Sequence, residues 1–167
     1  MDLNKFTIKS QEAIQKAQQL TMEMGQQAIE TGHILKGVSQ TDENVLPFIL
    51  KKLSVNSEVF GKTLDKIIES YPKVEGGNIH LSRYAAESIT RAISSLKEWN
   101  DEYVSLEHLI LAIFKGNDNI SQLMKDNGIT EKSLKSAVKE LRQGQRVTSA
   151  SAEESYNALS KYANNPD

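Results

Sequence analysis

Three histidines are the first side chains in this sequence whose chemistry could support catalysis or metal binding. His33, His80 and His108 could act as zinc ligands or general bases, but none has a second ligand at a close helical spacing. His33 and His108 lie in matching contexts, so we expect local packing or hydrogen bonding from them, and a linker position for His80. The sequence predicts neither a catalytic histidine nor a metal site.

A phosphate-binding loop is not predicted either. The glycines that come nearest to one, Gly76, Gly77 and Gly144, lack the lysine and the hydroxyl residue that hold phosphate and magnesium. We expect no cofactor in this chain and no ATP hydrolysis by it.

Acidic side chains are concentrated in one stretch, Asp101, Glu102 and Glu107. Glu107 follows the potential helix cap Ser105 and could merely complement the positive end of a helix. Alternatively, the stretch is an exposed acidic rim beside an apolar groove, attracting basic, extended or partly unfolded polypeptide. A hydrolase using Asp101 and Glu107 is a third hypothesis, which requires a raised pKa on one carboxyl group. Asp101 and Glu107 are both expected at the surface, so replacing both with alanine should leave the helical fold intact.

The elements that position these residues come from an internal duplication. His33 aligns with His108 at an offset of 75 residues, and after a one-residue loss an offset of 74 aligns the later positions. The duplication predicts one copy at 5–70, a Pro- and Gly-containing link at 71–79 and a second copy at 80–142. The acidic stretch has neutral counterparts in the first copy: Gln26, Gln27 and Gly32.

Apolar residues recur at three- and four-residue spacing in both copies, which predicts four helices in each. Short polar residues that could cap these helices precede the apolar runs: Thr7, Asn56, Ser82, Ser105 and Thr130. We therefore predict an all-α fold, in which two tandem four-helix repeats pack as one pseudo-twofold domain over residues 1–142. A flexible linker at 143–150 and a short helix within 151–167 follow, the helix containing Tyr156, Leu159 and Tyr162.

Composition restricts the function further. The formal net charge is -2, with 20 basic and 22 acidic residues, so the chain lacks the basic field that nucleic acids require. There is no cysteine and no apolar run of membrane-spanning length. We expect a cytoplasmic protein with no nucleic-acid or membrane partner.

These residues together resemble the N-terminal domain of the Clp family of AAA+ unfoldases, most closely its ClpB disaggregase branch. The resemblance extends from Lys5-Phe6-Thr7, through the helix starts near His33 and His108 and the link from Tyr71 to Gly76, to the tail ending near Tyr162. It implies a domain that engages unfolded or aggregated protein and helps deliver it to a hexameric, ATP-driven pore. It also implies heat-stress function beside the Hsp70 chaperone system, ATP and magnesium in absent ATPase modules, and a monomeric isolated domain.

The resemblance also implies site residues. Family positions linked to substrate handling match Thr7, Asp101 and Glu107, and Ile89 lies at a matching place in the apolar groove. Trp99 and Tyr103 bracket the acidic stretch and are either core anchors or part of the contact surface, so Tyr103 joins the predicted substrate-binding residues. Ser95 and His108 depart from the larger apolar groups usual in the groove. Asn164–Asp167 departs from the usual run into the ATPase module.

The alternative function is a docking domain for a folded adaptor protein, as in protease unfoldases of the ClpA or ClpC type.

Overall fold

The computed structural model describes residues 3–155. Between residues 8 and 142 the chain forms nine helices and two very short strands. The helices are α1 (Ile8–Glu23), α2 (Thr31–Thr41), α3 (Val45–Lys52), α4 (Ser57–Ser70), α5 (Arg83–Ser94), α6 (Leu96–Trp99), α7 (Leu106–Phe114), α8 (Asn119–Asp126) and α9 (Glu131–Arg142). The strands are β1 (Ala28–Ile29) and β2 (His80–Leu81). The predicted all-α class is confirmed.

Short polar side chains begin the helices where the sequence predicts. The Thr7 hydroxyl accepts a hydrogen bond from the Ser10 N–H at 3.1 Å, and Ser82 accepts one from the Ala85 N–H at the same distance. The remaining predicted caps also lie at N-cap positions: Asn56, Ser105 and Thr130. A cap of this kind satisfies a backbone N–H that has no partner within the helix, and its removal costs about 1 kcal/mol.

Short extended segments of one copy pair with extended segments of the other copy. Ile29 of β1 pairs in parallel with Leu81 of β2, and Phe6 forms an isolated parallel bridge with Val104. At the offset of 75 residues, Phe6 corresponds to Leu81 and Ile29 to Val104. The second pairing is therefore the first with the copies interchanged, as a pseudo-twofold relation requires.

Helix α7 lies at the centre of the domain, and all nine of its residues are buried. It contacts its counterpart α2 in the first copy. The next layer is reciprocal, because α1 of the first copy contacts α7 and α5 of the second copy contacts α2. Any polar side chain on α7 must consequently find its partners inside the protein.

One difference between the copies departs from the prediction of four helices each. The first helix of the second copy is interrupted at Ser95, which divides it into α5 and α6. After the interruption, Asn100 adopts a left-handed conformation with φ 56°, as its counterpart Gly25 does with φ 68°. Asparagine is one of the few side chains that enter this region readily, so both copies make the same turn with different residues.

The segment predicted as a flexible connector, 143–150, contacts both copies. Val147 is fully buried, and its N–H donates to Asp101 Oδ1 at 2.8 Å. The Val147 carbonyl accepts from the Glu102 N–H at 2.8 Å, and the Ala150 carbonyl accepts from the Ile8 N–H at 2.8 Å. These bonds attach a polar segment to the domain through its backbone.

Residues 152–155 are helical, while the rest of the predicted terminal helix lies outside the described residues, with Tyr156, Leu159 and Tyr162. The boundaries of the two copies, the link and the linker stay predictions. Between residues 3 and 155, no helix combines the length and the apolar character needed to cross a membrane.

Candidate functional site

The predicted acidic rim is largely internal. Glu107 is 0% exposed, Thr7 is 0% exposed and Asp101 is 9% exposed, whereas Glu102 is on the surface. The expectation that Asp101 and Glu107 are both exposed is therefore wrong. The reason is the central position of α7, whose first turn places Glu107 inside the domain.

Both carboxylates are paired with one guanidinium from the last helix. Arg142 Nε lies 2.7 Å from Glu107 Oε2, and another nitrogen of the same group lies 2.8 Å from Asp101 Oδ2. The guanidinium also lies over the ring of Trp99, 5.1 Å from its centroid. Burial acts to lower the pKa of Arg142, but the charges and hydrogen bonds of the two carboxylates raise it above its usual range.

Asp101 has further partners. Burial alone would raise the pKa of its carboxyl group, but the hydrogen bonds from His108 and the Val147 N–H, with the charge of Arg142, hold that pKa below its usual range. Asp101 is therefore ionised at neutral pH and unsuited to act as a general acid. Among residues 3–155 there is also no cluster of three or more His, Asp or Glu side chains that could hold a metal ion.

The two repeat-equivalent histidines have the same local role. In each, Nδ1 accepts a hydrogen bond from a backbone N–H at the start of the helix. The Glu30 N–H donates to His33 at 2.9 Å, and the Ser105 N–H donates to His108 at 2.8 Å. Because Nδ1 accepts, the ring proton is on Nε2, which donates to Asp101 in the case of His108 at 2.8 Å. The prediction of local hydrogen bonding for these histidines is confirmed.

The first copy contains a neutral counterpart of this cluster. His33 Nε2 lies 2.6 Å from Gln26 Oε1, and Gln26 Nε2 donates to the Ile68 carbonyl at 2.7 Å. At the offset of 74, Ile68 corresponds to Arg142. Three changes between the copies, Gln to Asp, Gly to Glu and Ile to Arg, thus belong to a single ion-paired cluster.

A third carboxylate approaches the same place from the segment beyond α9. Glu153 is fully buried, and its Oε2 accepts from the Thr7 hydroxyl at 2.6 Å and from the Leu106 N–H at 3.1 Å. Its Oε1 has no hydrogen bond from another described residue. Burial raises the pKa of Glu153 to about 7, and the negative charge of Glu107 is the second cause of the rise.

Sequence reasoning missed Arg142 and Glu153. Arg142 could have been found by extending the comparison of the copies. Its counterpart in the first copy is the uncharged Ile68, so the arginine occurs only in the copy that also contains the additional carboxylates. No comparable signal exists for Glu153, which lies outside both copies.

The other predicted contact residues lie around this cluster. Ile89 of α5 is 5% exposed and belongs to the core. Tyr103 and Trp99 are partly buried and pack against the core, each with some surface accessible. Beside Trp99 is an open cleft of about 190 Å³, which Arg91, Ser95, Leu111 and Lys135 also line.

Comparison with known proteins finds a family model and curated relatives that match this chain. The family model described as the Clp repeat (R) N-terminal domain matches residues 5–127. Chaperone protein ClpB of Bacteroides thetaiotaomicron is 50% identical over 165 residues, which is 99% of this chain and 19% of that protein. ClpB of Porphyromonas gingivalis is 47% identical over the same share of each. The chain thus spans about a fifth of the length of these curated relatives.

Solved structures share the fold. The Hsp104 N-terminal domain from Candida albicans superimposes with a TM-score of 0.80 at 22% identity, covering 90% of this chain and 99% of that one. The N-terminal domain of the chaperone ClpD from Arabidopsis thaliana gives a TM-score of 0.66 at 18% identity, covering 86% and 98%. Identities this low support the architecture alone.

Proposed function

The chain belongs to the Clp repeat N-terminal domain family, and we propose from this premise that it binds unfolded or aggregated polypeptide for an ATP-driven chaperone of the ClpB type. In that role it holds client chain near the translocation pore of a hexamer, and the ATPase modules use ATP and magnesium. Cooperation with an Hsp70 system and a cytoplasmic location belong to the same proposal, as does a monomeric state for this domain alone.

One observation carries the proposal: the domain already holds a stretch of non-helical chain through backbone hydrogen bonds. The Glu102 N–H, the Ile8 N–H and the Asp101 carboxylate bind main-chain groups of Val147 and Ala150. Every polypeptide carries such main-chain groups, so a surface that binds them accepts many sequences. That tolerance is what a chaperone needs for varied clients.

We assign the client-binding surface to the start of α7 and the turn before it. Glu102 and Tyr103 form its accessible edge, and Thr7, Asp101 and Glu107 form its floor. Ile89 supports this floor from the core rather than touching the client. The exposed carboxylate of Glu102 attracts basic client segments, while contacts with Tyr103 are apolar.

The proposal is tested by titrating the isotope-labelled chain with a permanently unfolded test protein and following amide chemical shifts. We expect the largest changes at Ile8, Glu102, Tyr103 and Leu106. Glu102→Lys should weaken binding several-fold, because it reverses the charge at the accessible edge. The matched control is Gln27→Lys at the equivalent position of the first copy, which should leave the affinity unchanged. Shifts confined to the first copy, or equal effects of the two variants, would reject the assignment.

The cleft beside Trp99 supports a second candidate, the docking of a folded adaptor protein. It is preformed and is lined by apolar, cationic and acidic side chains, among them Trp99, Lys135 and Glu98. Capture from a cell extract separates the two functions. One folded partner in a fixed ratio to the domain supports adaptor docking, whereas a broad range of unfolded proteins supports client binding.

A further inference from the structure

Residues 147–153 cover the surface that we assign to clients. Val147 is buried over Asp101 and Glu102, Ala150 receives the N–H of Ile8 at the start of α1, and Glu153 reaches the start of α7. The segment thus uses the backbone groups that a client would use. While it remains there, the Thr7 hydroxyl and the Leu106 N–H both donate to Glu153 rather than to another chain.

The charge balance beneath this segment is unfavourable when Glu153 is ionised. The cluster then holds three carboxylates, Asp101, Glu107 and Glu153, against the single guanidinium of Arg142. His108 adds no positive charge, because its Nδ1 accepts a hydrogen bond and its Nε2 proton donates to Asp101. Arg142 is already bound to the other two carboxylates, so it has no strong contact left for Glu153.

Glu153 is also the carboxylate with the weakest set of partners. Its Oε2 accepts two hydrogen bonds, from Thr7 and Leu106, whereas its Oε1 accepts none from another described residue. A buried carboxylate oxygen without a donor favours the protonated form, in which that oxygen carries the proton.

We propose that residues 147–153 are an internal competitor that occupies the client-binding surface, and that Glu153 is the latch that keeps them docked while it is protonated. The proposal rests on the proposed function, since it concerns the same surface. It adds a means by which the chain itself regulates access to that surface.

The direction of the pH effect follows from the two states of Glu153. Its pKa is about 7 when docked, against an ordinary value of 4.5 when released. The docked state therefore binds the proton more tightly, and docking is most stable below pH 4.5. Between pH 4.5 and 7 the docking equilibrium falls by up to about tenfold per pH unit, and above pH 7 it changes no further.

Hydrogen exchange measures docking directly, because three amides of the domain donate to the segment. The Ile8 amide donates to the Ala150 carbonyl, the Glu102 amide to the Val147 carbonyl and the Leu106 amide to the Glu153 carboxylate. After correction for intrinsic exchange rates, their protection should decline together as the pH rises from 5 to 7. The reference is the Ser82 amide, which donates to Ile29 and should keep its protection.

Variants at position 153 separate the latch from general stability. Glu153→Gln imitates the protonated carboxyl group, so protection should be high and independent of pH. Glu153→Ala loses both hydrogen bonds, so protection of the three amides should be low at every pH. Glu154→Gln removes the same charge from an exposed neighbour and should behave as the unaltered chain. Protection that is independent of pH in the unaltered chain, or equal in all variants, overturns the proposal.

Client binding is the second measurement, made with the permanently unfolded test protein at pH 7. Glu153→Gln should bind it several-fold more weakly than the unaltered chain, and Glu153→Ala several-fold more tightly, with Glu154→Gln unchanged. Binding that does not respond to position 153 overturns the competitor while leaving the proposed function in place. If none of the four proteins binds the client, the proposed function fails and the competitor fails with it.

Discussion

His33 and His108 occupy equivalent positions in the two copies and bind the same point of their helices, but they donate to different partners. His33 Nε2 lies 2.6 Å from the amide oxygen of Gln26, and His108 Nε2 lies 2.8 Å from the carboxylate of Asp101. One copy thus satisfies its buried histidine with a neutral group and the other with an ionised one. This difference leads to separate predictions for the two halves.

In the first copy, the buried histidine should make stability depend on pH. Burial lowers the pKa of His33 to about 4, from 6.5 in the unfolded chain. Below pH 6.5 the unfolded state binds a proton that the folded state does not, so stability decreases from pH 6.5 towards 4 by up to about 1.4 kcal/mol per pH unit. Urea denaturation across this range should show a shallower decline for His33→Gln. His80→Gln changes an exposed histidine and should keep the full decline; equal profiles for both variants would contradict the assignment.

In the second copy, the ion pair of Arg142 should be a major determinant of stability. Glu107→Ala removes the partner 2.7 Å from Arg142 Nε and leaves a buried cation short of a carboxylate. We expect the free energy of unfolding to fall by about 3–5 kcal/mol, measured by chemical denaturation. Glu102→Ala removes an exposed carboxylate next to the cluster and should change it by about 0.5 kcal/mol or less.

Removing all three charges of this cluster should be milder than removing one. Because Arg142 is paired with both Glu107 and Asp101, the combination of Asp101→Asn, Glu107→Gln and Arg142→Met leaves none of the three positions charged. Buried ion pairs are often replaced by uncharged side chains with little loss, so the triple variant should be more stable than Glu107→Ala alone. A loss equal to the sum of the three single changes would show that these residues act independently.

The contact between α1 and α2 should tolerate no added atom at one glycine. A Cβ at Gly37 would lie 2.3 Å from the Ala13 carbonyl oxygen, so Gly37→Ala must move one helix away from the other. We expect it to lower the free energy of unfolding by about 1–3 kcal/mol. Gly61 in α4 is the matched control, since a Cβ there meets nothing within 4 Å. Gly61→Ala should raise stability by about 0.5–1 kcal/mol through helix propensity. Thermal melting of both variants distinguishes crowding from propensity.

Periodicity and the internal offset were sufficient to predict the architecture. The caps Thr7 and Ser82 could be predicted because the residues they bond lie within one helical turn. Such local interactions leave a signal in adjacent sequence positions. The same applies to the interaction of each histidine with the start of its own helix.

The burial of Asp101 and Glu107 could not be predicted in this way. A charged side chain is exposed in most proteins, and the exception here depends on Arg142, which is 35 residues from Glu107 in sequence. Glu153 is 47 residues from Leu106, with which it also interacts. Helical spacing carries no information about contacts over such separations. The structure therefore corrects the predicted exposure of Asp101 and Glu107.

The reciprocal bridges Phe6 to Val104 and Ile29 to Leu81 have an evolutionary consequence. Each bridge joins one copy to the other, so a polypeptide containing a single copy would have no partner of its own for either extended residue. Two identical chains related by a twofold axis could supply both partners. The present chain is what gene duplication and fusion of such a homodimer would produce, and fusion would then allow the charged cluster to arise in one half alone.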